Sequence, residues 1–203
     1  MKTLVKNTLM LSAIATLVFL SCDRRTTEER WQAEIRYFFM QHQEDYQSYE
    51  PLSFQKIDLA FLESQEPIQK ALLVLQDTTR QRVKQLYLAN LADQVESISS
   101  FRENFSIDRI DDYLKTRALA EGLLSKKIKN SSSAYQQALT SEQSALDLLE
   151  NILSQFSLSI YSLDFENDPV IYFHQYKLDD EERSAVFELD RESAEVISFR
   201  EMS

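Results

Sequence analysis

Three small groups of residues in this 203-residue chain carry side chains that could do chemistry. Tyr172, His174 and Tyr176 are spaced by two, so in a strand all three share one sheet face. An imidazole between two phenols suits a polar small ligand in a groove. It equally suits a buried histidine whose ring is held by a hydrogen bond. The second role is the expectation, with ligand binding by these three residues as the alternative. Asp164, Glu166 and Asp168 alternate like the opening of a calcium loop. Counted from Asp164, position six is Pro169 and position twelve is Gln175, where an EF-hand needs Gly and Glu. That excludes the EF-hand. A surface cation site on these carboxylates stands beside the plainer reading of an acidic solvated turn. Cys22 is the only cysteine, so its chemistry is not a disulfide within the chain.

What the chain lacks is as informative. Gly122 is its only glycine. A dinucleotide fingerprint, a phosphate loop and a nucleophile elbow each need glycines where backbone turns or meets a ligand closely. Hairpin turns of the Asn-Gly type are absent for the same reason. Two histidines and no His-Glu-x-x-His argue against a usual catalytic zinc site. With 33 acidic residues, no pair stands out as the carboxylates of a glycosidase. No catalytic residues are assigned, no cofactor is expected, and the chain reads as a non-enzyme.

Cys22 makes most sense at the end of an address. Lys2 and Lys6 precede the apolar run Leu9–Leu20, which is shorter than the roughly 18 residues of a membrane span. The run closes on Phe19-Leu20-Ser21-Cys22. A charged start, a short apolar stretch and a small residue before the cut make a signal peptide. With cysteine immediately after the cut, residues 1–21 resemble a bacterial lipoprotein signal, and Cys22 is the lipidated residue. The implied location is the bacterial cell envelope, on the periplasmic or surface side, anchored by N-terminal lipid.

Loss of Lys2 and Lys6 with the signal takes the net charge from −11 to −13. Such a body is repelled by nucleic-acid phosphate, so no nucleic-acid partner is expected. Anionic lipid repels it too, which leaves the acyl chains as the membrane partner. The remaining partner is an envelope protein.

The elements that would position these residues come from periodicity. Residues 22–30 read as the lipidated cysteine and a short tether, and 31–203 as one domain. Thr26 and Glu29 have capping-box spacing. Trp31, Ile35, Phe38, Phe39, His42 and Tyr46 follow a helical period. This stripe either lies on lipid or faces the core, and the acidic polar face favours the core. Pro51 breaks the helix, and residues 53–62 are ambiguous between an extended piece and a short helix. Pro67 opens a long helical pattern running towards Phe105, with a possible break at Asp77-Thr78-Thr79. A second helix spans 106–129, with Gly122 expected at a close helix contact. The row from Tyr135 to Ile160 is the cleanest apolar stripe. After it the period shifts from 3.6 to 2, and three short strands within 169–200 predict an antiparallel meander with one face on the helices and one in water. The fold class is α+β, mainly α: several long amphipathic helices packed with a short C-terminal β-meander.

Tyr49-Glu50-Pro51-Leu52-Ser53-Phe54 ahead of a helical body resembles a group of bacterial lipoproteins of about this length. Tyr172-Phe173-His174-Gln175-Tyr176 followed by Ala185-Val186-Phe187-Glu188-Leu189-Asp190 does so too. The group has a glycine in the final hairpin that this chain lacks. The resemblance implies class and location and no activity. Together these readings predict a lipid-anchored envelope protein that works as an interaction or accessory protein. The alternative is a small-ligand binder with a pocket between the meander and the helices.

Overall fold

A computed structural model describes residues 25–42, 46–91, 105–127 and 132–202. The signal peptide, Cys22 and residues 92–104 lie outside them. Helix α1 is Thr27–His42, strand β1 Glu50–Ile57, helix α2 Leu59–Ser64 and helix α3 Glu66–Leu88. Helix α4 (Ile110–Lys127) and helix α5 (Ser133–Ser154) follow, then β2 (Val170–Leu178), β3 (Glu181–Leu189) and β4 (Val196–Met202). The fold is α+β and mainly α, with one antiparallel sheet in the order β1-β2-β3-β4.

The meander therefore gains a fourth strand. Pro51 lacks an N–H, but at the start of an edge strand no ladder bond is lost there. The register shifts between Pro51 and Ser53, and Phe54 then pairs with His174. The alternation of this segment is weak, which is why its period alone leaves it ambiguous.

The expectation of a water-facing sheet surface is corrected. Along β2 and β3 successive residues point to opposite faces, and both faces are covered. Ile171 and Val186 pack with Leu62, Ile68, Leu75, Leu149 and Leu153 of the helical layer. On the other face Tyr172, Tyr176, Ala185 and Phe187 pack with Trp31, Ile35 and Phe39 of α1. The stripe from Trp31 to Phe39 is thus core, as its polar face suggested, whereas His42 farther along it is exposed. The capping box starts this helix: the Thr26 amide donates to Glu29 at 2.6 Å, and the Glu29 amide donates to Thr26 Oγ1 at 3.2 Å. The helix thus begins inside what the charge pattern marked as tether.

The helical layer holds three further corrections. Asp77-Thr78-Thr79 does not interrupt α3, because the Thr78 and Thr79 hydroxyls donate to carbonyls one turn back, at 2.9 and 3.0 Å. Helix α5 ends at Ser154, not at Ile160. Ser157 takes a positive φ of 60°, and the Leu158 amide turns back to the Leu153 carbonyl at 3.0 Å. Gly122 is exposed and has nothing within 4 Å of where a Cβ would sit, so it permits no close helix contact.

Left-handed backbone is supplied without glycine. Asn90 (φ 56°) closes α3, and Asp179 and Asp180 (φ 52° and 65°) form the β2–β3 turn. Leu178 pairs with Glu181, so this is a two-residue hairpin. The scarcity of glycine does not exclude a tight turn here, because Asp and Asn tolerate this region best after glycine.

Candidate functional site

The face read as core or groove is core. Tyr172, His174 and Tyr176 do share it, and His174 is fully buried. Its Nδ1 lies 2.6 Å from the Ser53 carbonyl oxygen. A carbonyl only accepts, so Nδ1 carries the proton and Nε2 is bare. The Tyr49 hydroxyl therefore donates to Nε2, at 2.8 Å. Phe54 stacks on the imidazole at 4.1 Å between ring centres, and Tyr176 does so at 5.3 Å. Burial pushes the imidazole pKa down to about 4, helped by the positive charge of Arg36 and opposed by the Ser53 hydrogen bond. His174 is a neutral packed ring at physiological pH. Tyr176 donates to Glu201 at 3.0 Å, and Tyr172 packs on Trp31 at 6.1 Å between ring centres. Burial pushes both phenols up.

Asp164, Glu166 and Asp168 sit in the loop before β2, where two of the three carboxylates are already engaged. Asp164 accepts from the amides of Glu166 and Asn167 and from the Asn167 side chain, at 2.7 to 3.1 Å. These bonds hold its carboxyl below the usual range. Asp168 accepts from the Asp164 amide at 2.9 Å. Calcium needs six to eight oxygens turned inward. This loop turns the Asp164 and Asp168 carboxylates onto its own backbone, and no metal-holding group of His, Cys, Asp or Glu occurs among the described residues.

The most polar buried site was not anticipated from sequence. Arg82 of α3 and Glu142 of α5 form a two-pronged ion pair with both side chains 1% exposed. Tyr113 of α4 donates to the same carboxylate and accepts from Arg82 at 3.2 Å. Glu121 meets Arg82 at 3.0 Å from the exposed side, and Arg117 meets Glu121 at 3.0 Å. Burial works against the Arg82 charge, but hydrogen bonding to Glu142 and the Glu142 charge outweigh it, and the guanidinium stays charged. Burial and the Glu142 charge push the Tyr113 phenol up. Every strong donor and acceptor is matched within the cluster except Arg82 Nε. This arrangement locks three helices to one another; it offers no free nucleophile or base. Its trace in the sequence is Glu142 standing on the apolar stripe between Leu139 and Leu146, at helical spacing.

Open concave surface lies instead along α3. A groove of about 400 Å³ runs between α3 and α5, over Leu73, Val74, Thr78, Ala134, Ala138 and Ser141. A second, of about 340 Å³, lies on the other side of Leu73, bounded by Leu72, Gln76 and Phe105. Leu73 stands between them, 64% exposed. By contrast the clefts between the sheet and the helical layer, at Leu158, Pro169 and Ile171, measure about 130 and 40 Å³.

No family model matches this chain, and neither a curated protein nor a solved structure does so. Among the described residues no helix is long and apolar enough to cross a membrane.

Proposed function

We propose that this chain is a cell-envelope protein, anchored by lipid on Cys22, that works by docking a protein partner and not by catalysis. The observation that carries this reading is the division between a filled interior and an exposed Leu73 set between two open grooves. The Tyr172–His174–Tyr176 face, where a ligand pocket would have to open, is filled by Trp31, Ile35 and Phe39. Among the described residues, the two clefts at Leu158, Pro169 and Ile171, of about 130 and 40 Å³, fall below the roughly 300 Å³ of a small-molecule site. Leu73, exposed between grooves that mix apolar residues with Asp77, Gln81, Gln137 and Gln76, forms relief that a partner helix or loop would cover. The site chemistry agrees, since Arg82, Glu142 and Tyr113 are paired with one another and His174 is held by Ser53 and Tyr49.

The test is site-specific photo-cross-linking in the native membrane from position 73, with position 180 on the β2–β3 turn as control. A single adduct from position 73, absent from position 180 and lost when Ala134→Glu is added in the flanking groove while the fold persists, supports the reading. Co-purification of a stoichiometric small molecule that protects the fold would favour the ligand-binding alternative.

A further inference from the structure

Opposite its core face, helix α1 exposes a short apolar strip among polar residues. Trp31, Ile35 and Phe39 point inward and are buried. On the opposite side Ala33, Tyr37 and Met40 recur at helical spacing, and Tyr37 and Met40 are each 49% exposed. We infer that this outer face of α1 lies against the bilayer, as a second lipid contact beside the acyl chains. The inference rests on acylation of Cys22.

Chain length is the first argument. The capping box fixes the start of α1 at Thr26, and the Arg30 guanidinium donates to the carbonyls of Glu192 and Ser193 at 3.2 and 3.3 Å, which locks the first turn to the β3–β4 turn. From Cys22 to Thr26 the chain spans at most about 14 Å. The helix itself is about 24 Å long at 1.5 Å per residue. So short a tether keeps the start of α1 next to the lipid head groups, and Tyr37 lies only about 16 Å along the axis from Thr26.

Charge is the second argument. The protein as a whole is strongly acidic. The segment from Asp23 to Met40 is not: Asp23, Glu28, Glu29 and Glu34 are balanced by Arg24, Arg25, Arg30 and Arg36. Glu29 is turned onto the Thr26 amide by the capping box, and Arg36 lies over the Phe54 ring at 5.2 Å with its head exposed. The segment nearest the anchor therefore carries no net charge, and anionic lipid repels it less than it repels the protein as a whole. Tyrosine suits the interface, with its ring in the acyl boundary and its hydroxyl among head groups. Two side chains would not hold a protein on a membrane alone. Tethered at this range they do not need to, because the anchor turns their contact into an intramolecular event.

Acylation blocks Cys22, so Tyr37→Cys in the membrane-extracted protein carries the single free thiol. Gln143→Cys, on the exposed side of α5, serves as control. Each is labelled with a fluorophore and placed in phosphatidylcholine–phosphatidylglycerol vesicles containing a doxyl-labelled lipid. The dye at position 37 should be quenched about twofold or more relative to position 143 and should shift to the blue. A flexible insertion between Asp23 and Arg24 should erase most of that difference. Equal quenching at the two positions, or none at either, overturns the contact. Protection of position 37 in native membranes but not in lipid vesicles would assign the face to a protein instead. Should two dyes per chain attach and the protein not float with vesicles, the acylation has failed. That result is distinct from a labelled, membrane-bound protein whose position 37 stays in water.

Discussion

Arg82 and Glu142 meet across the α3–α5 interface as a two-pronged ion pair from which water is almost wholly excluded, with Tyr113 closing the third side. Such a pair contributes less through its own attraction than through what its breaking leaves behind. Glu142→Ala should cost about 3–5 kcal/mol, because Arg82 would stay buried beside the exposed Glu121 alone. The double change Arg82→Met with Glu142→Met should cost far less than the two single changes summed. Urea unfolding with an unchanged slope measures both, and additive costs would refute the coupling.

His174 gives the fold an acid-sensitive point. Above pH 6.5 the imidazole is neutral folded and unfolded, so it adds no pH slope. Below that the unfolded chain binds a proton that the folded chain refuses until about pH 4. Stability therefore falls as pH falls through this window, by up to about 3 kcal/mol from this residue. His174→Phe should remove that part of the slope. At pH 7 it should cost about 1–3 kcal/mol, since the Ser53 carbonyl loses its donor. Parallel slopes for the two proteins between pH 6.5 and 4 would show that the ring is protonated in the fold.

Much of this architecture is legible in the period of the chain, and its failures have physical causes. The row from Tyr135 to Leu153 reads as a helix because its apolar positions recur at helical spacing, with Glu142 on the stripe in the one wide gap, between Leu139 and Ala145. Trp31 and Ile35 read as core because the polar face of the predicted helix carries Glu34, Gln41, Gln43, Glu44 and Asp45, where a lipid-surface helix usually carries Lys and Arg. Strand β1 is not legible: Ser53, Gln55 and Lys56 blur the alternation, and the partner that makes it a strand, His174, is more than a hundred residues away. The environment of His174 hides for the same reason, as Tyr49 and Ser53 reach it only through that pairing. Glu142 leaves a visible sign, a charge on an apolar stripe, but nothing local says that Arg82 answers it.

The β2–β3 turn holds two aspartates where glycine is favoured. Asp179→Asn with Asp180→Gly should relieve the left-handed backbone and stabilise the protein by about 0.5–1 kcal/mol. Asp180→Val should destabilise it, because a β-branched residue fits this region worst. Thermal midpoints of the three proteins decide the matter. A gain from valine would mean that the turn is not of this type.

Lipidation is tested at its one candidate residue. Cys22→Ser should leave the chain with its signal attached or release it from the membrane fraction. Mature mass and fractionation identical to the wild type would refute the anchor.

Trp31 distinguishes the two faces of α1. It is 6% exposed, and its ring packs against Tyr172 with Lys56 5.4 Å above it. Its emission should be blue-shifted in solution and unchanged by vesicles, whereas a probe at Tyr37 should respond to them. Trp31→Ala should destabilise the domain by about 3–5 kcal/mol, the range for a large buried aromatic. Trp31→Phe should cost less, because the indole Nε1 it removes has no hydrogen-bond partner among the described residues. Tyr172→Phe should be close to neutral for the same reason, while Tyr176→Phe loses the bond to Glu201 and should cost about 1 kcal/mol. A vesicle-dependent shift of Trp31, with no loss of stability in Trp31→Ala, would turn the helix over. It would put the aromatic stripe on lipid and leave the sheet face it now covers open to water.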